Sequence, residues 1–180
     1  MTKKIERILM SVILMLSILM VCFSTGCKNV SSDDQEEANT VSLYIGYDAN
    51  GYDEYEVEIE GEVTPDKLIG AIADLTGWNL TLKDKVSVGK GGMTINFDQD
   101  SSLVTGPPAE QKEEFRAYDI FSFTDMMLDS IKETLQRFDV SEPGNPDNLD
   151  IYYLLDDKEI VIDGVSIPMD KPWESGRLYE

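Results

Sequence analysis

The sequence predicts an α+β fold, in which a two-layer, mixed or antiparallel sheet of about five to seven strands packs against two helices. Short segments that alternate between apolar and polar residues indicate strands with one buried face. Two longer segments carry a single apolar stripe at helical spacing, which is typical of helices that cover one side of a sheet. Turn residues separate neighbouring strands, so we expect most connections to be hairpins.

The first predicted elements are a hairpin and a helix. Residues 41–46 and 55–60 alternate on either side of the turn at 48–51, whose sequence is DANG. Thr64 supplies a hydroxyl cap, and the proline after it suits the first turn of a helix, which Gly77 is expected to end. The apolar stripe of this helix consists of Leu68, Ile69, Ile72 and Leu75.

The later elements repeat this order. Residues 85–89 and 93–98 flank a glycine turn and form a second predicted hairpin. Residues 101–120 contain Gly-Pro-Pro and several charges, so a long loop is expected there. Thr124 is expected to cap a second helix that ends at residue 138. After a Pro/Gly turn region at 139–147, strands are predicted at 150–155, 159–162 and 165–168, with turns at Asp156-Asp157 and Asp163-Gly164.

This order, ββ-α-ββ-α-ββ(β), resembles the GerMN domain, also called the sporulation and spore germination domain. The similar segments are 41–51, the helix at 64–78, the hairpin at 86–98 (VSVGKGGMTINFD), the helix at 124–138 and residues 149–168. They span about residues 41–170, with 101–120 as an insertion. The resemblance implies an exported, membrane-tethered interaction module that acts in envelope, sporulation or germination processes. It implies neither catalytic residues nor a cofactor.

The N-terminus is typical of an export signal. Three basic residues precede an apolar run at 8–23, and Ser24-Thr25-Gly26 then leads to Cys27. This ending resembles the lipobox of bacterial lipoproteins, which implies cleavage after residue 26 and a diacylglyceryl group on the Cys27 thiol. The alternative is an uncleaved signal anchor, although the 16 residues of the run are short against the ~18–20 that span a hydrocarbon core. Both alternatives place the rest of the chain outside the cell membrane.

The mature chain is expected to contain a tether and one domain. Residues 27–40 comprise the lipidated cysteine and a polar, acidic segment that cannot bury a core. Residues 41–180 have the length of a single domain.

Composition excludes several classes of function. The net charge of −20 becomes −22 without residues 1–26, because that segment holds three basic side chains and one acidic one. So acidic a protein is not expected to bind nucleic acid or to lie on anionic lipid. The chain has no histidine, and Cys22 and Cys27 are its only cysteines. We therefore expect no disulfide, no imidazole-dependent catalysis and no zinc site in the mature domain.

Two acidic groups are candidate sites. Asn96, Asp98 and Asp100 alternate like the first ligands of a calcium loop, but Ser101 and Pro107 stand where that loop needs glycine and glutamate. A solvated strand end is the alternative interpretation. Asp156, Asp157, Glu159 and Asp163 form an acidic edge or, on the simpler interpretation, belong to tight turns. Glycan hydrolysis needs two carboxylates at a set separation, and no linear pattern predicts such a pair.

Aromatic residues are the remaining candidates. Six tyrosines lie on or near predicted strands, namely Tyr44, Tyr47, Tyr52, Tyr55, Tyr152 and Tyr153. Exposed aromatics mark interfaces or sugar-binding surfaces, whereas buried ones simply pack in sheets. Tyr44 is the most interesting of them, because it alternates off the core face of its strand. Trp173 is expected to pin the C-terminal tail over the sheet.

The sequence therefore predicts a non-catalytic lipoprotein that Cys27 holds at the extracytoplasmic face of the membrane. Its domain is expected to bind an envelope protein or to self-assemble. One alternative is a lipoprotein that binds a cell-wall fragment or a cationic peptide. The other is an enzyme that uses a carboxylate pair.

Overall fold

The computed structural model describes residues 38–48, 51–89, 91–139, 149–176 and 178, and it confirms the α+β class. Along the chain the elements are β1 (Ala38–Asp48), β2 (Gly51–Glu60), α1 (Pro65–Thr76), β3 (Ser87–Gly89), β4 (Gly92–Phe97), α2 (Ser102–Thr105), a 3-10 turn (Glu113–Phe115), α3 (Ile120–Asp139), β5 (Asp150–Leu155), β6 (Ile160–Ile162) and β7 (Val165–Ile167). Within these ranges the strands form three hydrogen-bonded sheets, β1–β2, β3–β4–β5 and β6–β7. The β4–β5 pair is parallel and the other pairs are antiparallel, so the strand directions are mixed as predicted.

The first hairpin is longer than predicted. Leu43, Ile45 and Ile59 are buried, as the alternating pattern requires. However, β1 begins at Ala38, which pairs with Glu60, so the last three residues assigned to the tether belong to this strand. The reason is that backbone pairing continues past the residues whose side chains reach the core, and apolar alternation detects only the latter.

The structure confirms the predicted boundaries of helix α1. Thr64 Oγ1 accepts a hydrogen bond from the Lys67 N–H at 3.4 Å, and Pro65 is the first helical residue. Gly77 ends the helix with φ 82°, and its N–H donates to Ala73 O at 2.8 Å. Few residues other than glycine adopt this left-handed conformation without strain.

The prediction of a long loop at 101–120 is wrong in part. It contains α2 and the 3-10 turn, and it buries Leu103 and Phe115. The Phe115 ring lies 5.6 Å from the ring of Tyr55 and 6.3 Å from that of Trp78. Segments this short show no periodicity, so only their tertiary contacts reveal that they belong to the core.

The predicted start of the second helix is also wrong. Helix α3 begins at Ile120, and the Asp119 carboxylate accepts the N–H groups of Phe121 and Ser122, each at 2.9 Å. Thr124 lies inside the helix and is fully buried. Aspartate and threonine are both good N-caps, and the helix starts at the earlier of the two.

The two aspartate turns are confirmed. Asp156 and Asp157 have φ values of 51° and 64°, and Asp163 and Gly164 have values of 47° and 87°. Both pairs therefore adopt the left-handed conformation that tight hairpins need. The signal at 1–26, Cys27, the tether up to residue 37, the turn residues 49–50 and most of the Pro/Gly region (140–148) lie outside the described residues.

Candidate functional site

The sheet β3–β4–β5 has one face in the core and one partly exposed face. Met93, Ile95 and Phe97 on β4, together with Ile151 and Tyr153 on β5, point into the core. The alternate positions of the two strands are at most half-buried, and these residues are Gly92, Thr94, Asn96, Asp150, Tyr152 and Leu154. The half-polar composition of β4 and β5 thus places a polar surface on the outside of this sheet.

A groove of about 310 Å³ lies on this outer face and is lined by Ser87, Gly89, Gly92, Thr94, Asp150 and Tyr152. The six residues form two rows across the three strands. Thr94 pairs with Ser87 on one side and with Tyr152 on the other. Gly92 likewise pairs with Gly89 and with Asp150. The register of the sheet therefore brings together residues from three separate segments.

The two glycines of the groove have different roles. A Cβ atom on Gly92 would lie 3.1 Å from Asp150 O and 3.2 Å from Tyr152 Cε2, so a side chain there would press on β5 and glycine favours its close approach. A Cβ on Gly89 would meet nothing within 4 Å. Its φ also lies outside the left-handed region, so neither packing nor backbone conformation requires glycine at this position. Gly89 leaves the floor of the groove open.

The polar groups of the groove are a phenol, a carboxylate and two hydroxyls. Tyr152 Oη donates to Asp150 Oδ2 at 3.4 Å. Desolvation and the charge of Asp150 raise the pKa of Tyr152, so its phenol stays protonated at neutral pH. The hydroxyls of Ser87 and Thr94 make no hydrogen bond within the part of the chain that the structure describes. They are therefore available to a ligand.

The predicted calcium ligands make strand-end contacts. Asn96 Nδ2 donates to Asp157 Oδ1 at 2.7 Å and to Asp84 Oδ2 at 3.2 Å. Asp98 Oδ1 accepts the N–H of Asp100 at 3.0 Å, which is an aspartate turn. In the described ranges, no three His, Cys, Asp or Glu side chains are arranged to hold a metal ion.

The predicted acidic edge consists of turn residues. Lys83 Nζ binds Asp156 Oδ1 at 2.7 Å and Asp157 Oδ2 at 2.5 Å. These contacts lower the pKa of both carboxyl groups. Glu159 accepts a hydrogen bond from the Ser166 hydroxyl across the next hairpin. Three of the four acids therefore make local contacts that stabilise these hairpins, and Asp163 occupies the left-handed position of the second turn.

Tyr44, the candidate interface residue, is engaged within the domain. Its Oη donates to Glu54 Oε1 at 3.1 Å, and the Arg137 guanidinium carbon lies 4.6 Å from its ring centroid. Tyr153 is fully buried and donates to Leu128 O at 2.7 Å. Tyr152 is the predicted tyrosine that lines the groove. The side chain of Tyr47 lies outside the described residues.

A buried carboxyl pair on α3 was not predicted. Asp125 and Asp129 lie one helical turn apart, and their side chains are buried. Neither carboxyl oxygen of Asp125 makes a hydrogen bond to a described residue. Burial, reinforced by the charge of Asp129, raises the pKa of Asp125 to about 7. The Leu178 N–H approaches too loosely for a normal hydrogen bond and opposes this rise only in part. The sequence signal was an i,i+4 acid pair next to the apolar stripe of the helix.

Trp173 hydrogen-bonds to one member of this pair and confirms the predicted pin. Its backbone N–H donates to Ile151 O at 2.7 Å, and its Nε1 donates to Asp129 Oδ1 at 2.5 Å. Burial raises the pKa of Asp129, while the hydrogen bonds from Trp173 and Ser175 oppose this rise. The side chains of both acids are buried within the domain.

Comparison of the chain with protein-family models, with curated proteins and with solved structures found no match. Within the described ranges, no helix combines the length and the apolar character that crossing a membrane requires.

Proposed function

We propose that this protein is a non-catalytic lipoprotein with a GerMN-like interaction domain, which works in envelope assembly, sporulation or germination. Cys27 anchors it at the extracytoplasmic face of the cell membrane. Two features support the proposal. The N-terminal segment is typical of a lipoprotein signal. The order of the long helices and the strands follows the order on which the GerMN resemblance depends.

The single observation that favours binding over catalysis is the distribution of carboxylates. Hydrolysis of a glycan needs two acids that face each other across a cleft. Among the described residues that line the groove, Asp150 alone is acidic. The side chains of Asp125 and Asp129 are both buried, and Trp173 hydrogen-bonds to Asp129. The groove can therefore hold a ligand, whereas the buried acid pair can neither touch nor cleave a glycan.

Anchoring raises the effective concentration of the domain near other envelope components. A tethered domain meets its partners in a small volume, so a weak contact is sufficient for occupancy. Strand β1 begins at Ala38 and takes in the last three residues of the predicted tether.

The first experiment is crosslinking in intact cells, followed by capture of the anchored protein and identification of its crosslinked partners. Growing and starved cultures are compared. One dominant envelope partner, or a ladder of self-crosslinked species, supports the interaction module and shows which process it serves. A bare monomer under both conditions contradicts it.

The anchor is tested with a matched pair of cysteine variants. We expect Cys27→Ala to lose incorporation of a labelled fatty acid and to retain its signal segment. Cys22→Ala, which changes the same residue type inside the apolar run, should behave like the wild type. If Cys27→Ala remains as firmly in the membrane fraction and the wild type takes up no label, the signal-anchor alternative is correct.

A second candidate function is a lipoprotein that binds a cell-wall fragment. The groove on the outer face of β3–β4–β5 favours it, because a groove with free hydroxyls suits a small polar ligand better than a flat protein surface.

A further inference from the structure

We infer that the groove lined by Ser87, Gly89, Gly92, Thr94, Asp150 and Tyr152 is a saccharide site, which takes a short neutral or amine-bearing oligosaccharide. The inference deepens the proposed function, since it rests on an extracytoplasmic domain and names a ligand class for it.

The size and floor of the groove are the first argument. Its volume of about 310 Å³ is at the lower end of the ~300–1,000 Å³ range of small-molecule sites. The lining is open at Gly89, the last residue of β3, where a Cβ would meet nothing within 4 Å. The missing side chain lets a ligand come close to the backbone at this end of the groove.

The chemistry of the lining is the second argument. A sugar ring presents an apolar C–H face and a rim of hydroxyls. Tyr152 supplies an amphipathic ring, which packs against C–H groups through its face and hydrogen-bonds through its Oη. Ser87 and Thr94 each supply a hydroxyl that is both donor and acceptor, and the Asp150 carboxylate supplies acceptors. These are the partners that a polyhydroxylated ligand needs.

Charge decides which saccharides fit. Among the described lining residues, Asp150 is the one charged side chain, and the whole chain carries −20. An anionic sugar would meet repulsion both from this carboxylate and from the field of the domain. A neutral sugar avoids that cost, and an amino group gains an attraction to Asp150.

The position of the groove argues against an added peptide strand. Such a peptide pairs with the backbone along a free sheet edge. The edge strand β3 is only three residues long, so it offers few hydrogen bonds. The groove instead lies on the face of the sheet, where side chains of three strands converge.

The experiment is saturation-transfer difference NMR on the full chain in detergent micelles. The probes are the tetramers of N-acetylglucosamine and of glucosamine, with tetragalacturonate as the anionic comparison. We expect saturation transfer from the protein to the first two probes and none to the third. Asp150→Asn should remove the advantage of the amine-bearing probe.

Variants locate the site. Tyr152→Ala should weaken binding about tenfold, since it removes the stacking ring, whereas Tyr152→Phe should retain most of the affinity. Gly89→Leu fills the groove and should abolish transfer. Gly70→Leu is the matched control, because Gly70 is exposed on α1 and a Cβ there also meets nothing within 4 Å.

The outcomes separate this inference from the proposed function. The inference is overturned if the wild type transfers no saturation to the neutral probe or to the amine-bearing probe. It is equally overturned if Gly89→Leu binds these probes as well as Gly70→Leu. It is also overturned if an extended tetralysine peptide binds and the sugars do not. Binding does not require a lipid, so failure of the Cys27 experiment would contradict the anchor and leave the saccharide result standing.

Discussion

Ser130 Oγ lies 2.9 Å from the backbone nitrogen of Gly46 and accepts its hydrogen bond. One turn along α3, Thr134 Oγ1 accepts the N–H of Tyr44 at the same distance. Two helical hydroxyls therefore satisfy the outer N–H groups of β1, where an unpaired sheet edge would otherwise be exposed to other chains. Helix α3 closes this edge of the hairpin by side-chain chemistry instead of by another strand.

The first prediction concerns this edge. Ser130→Ala leaves the buried N–H of Gly46 without its acceptor, so we expect the free energy of unfolding to fall by about 1–3 kcal/mol. Urea denaturation followed by circular dichroism measures the change. Ser87→Ala is the control, since that hydroxyl has no partner in the described residues, and it should change stability by less than about 0.5 kcal/mol. Equal stability of the two variants would contradict the edge argument.

The second prediction concerns pH. Asp125 has its pKa raised to about 7 from 3.8, so between these values the folded state binds more protons than the unfolded state. Stability should therefore fall as pH rises from about 4 to about 7. Asp125→Asn weakens this dependence, to which the raised pKa of Asp129 also contributes. It should raise the free energy of unfolding at pH 8 by about 2 kcal/mol.

The control for that prediction is Asp74→Asn, which removes one charge at an exposed position of α1. It accounts for the general benefit of a lower net negative charge. Urea midpoints at pH 5.5 and pH 8 are compared for both variants and the wild type. If Asp74→Asn flattens the pH dependence as much as Asp125→Asn, the buried carboxyl is not its cause.

The third prediction concerns the C-terminal pin. Trp173→Ala removes a buried ring and the N–H that donates to Asp129. We therefore expect the free energy of unfolding to fall by about 3–5 kcal/mol. Trp173→Phe keeps most of the ring and removes the donor, and it should cost about 1–3 kcal/mol. Tyr118→Ala changes an aromatic residue that is 89 % exposed and should have little effect on the denaturation midpoint.

The fourth prediction compares two glycines at helix α1. Gly77→Ala forces a side chain into a left-handed position of φ 82° and should destabilise the domain by about 1 kcal/mol. Gly70→Ala lies inside the helix with free space around its Cβ, and it should stabilise by about 0.5–1 kcal/mol. The midpoint temperature of thermal unfolding should therefore fall for Gly77→Ala and rise for Gly70→Ala. A shared direction would show that backbone conformation is not the deciding factor.

Local patterns made part of the fold predictable. The hairpin β1–β2 and helix α1 depend on alternation, a cap and a glycine stop, all of which lie within a few residues of the element they define. The start of α3 was missed because Asp119 and Thr124 are both suitable caps. The segment at 101–120 was missed because Phe115 joins the core through contacts with distant Tyr55 and Trp78.

The sequence by itself determined the α+β class, the order of the strands and the two long helices, and the prediction of a lipid anchor at Cys27, because each depends on residues that are neighbours along the chain. Only the tertiary structure decided where the groove lies. Its lining combines β3, β4 and β5, and Tyr152 comes next to Thr94 through the parallel pairing of two strands separated by α3. The same holds for the acid pair, since Asp129 is buried by Trp173, which lies 44 residues further along the chain. Pairing register and burial depend on contacts between distant segments, and no local pattern encodes them.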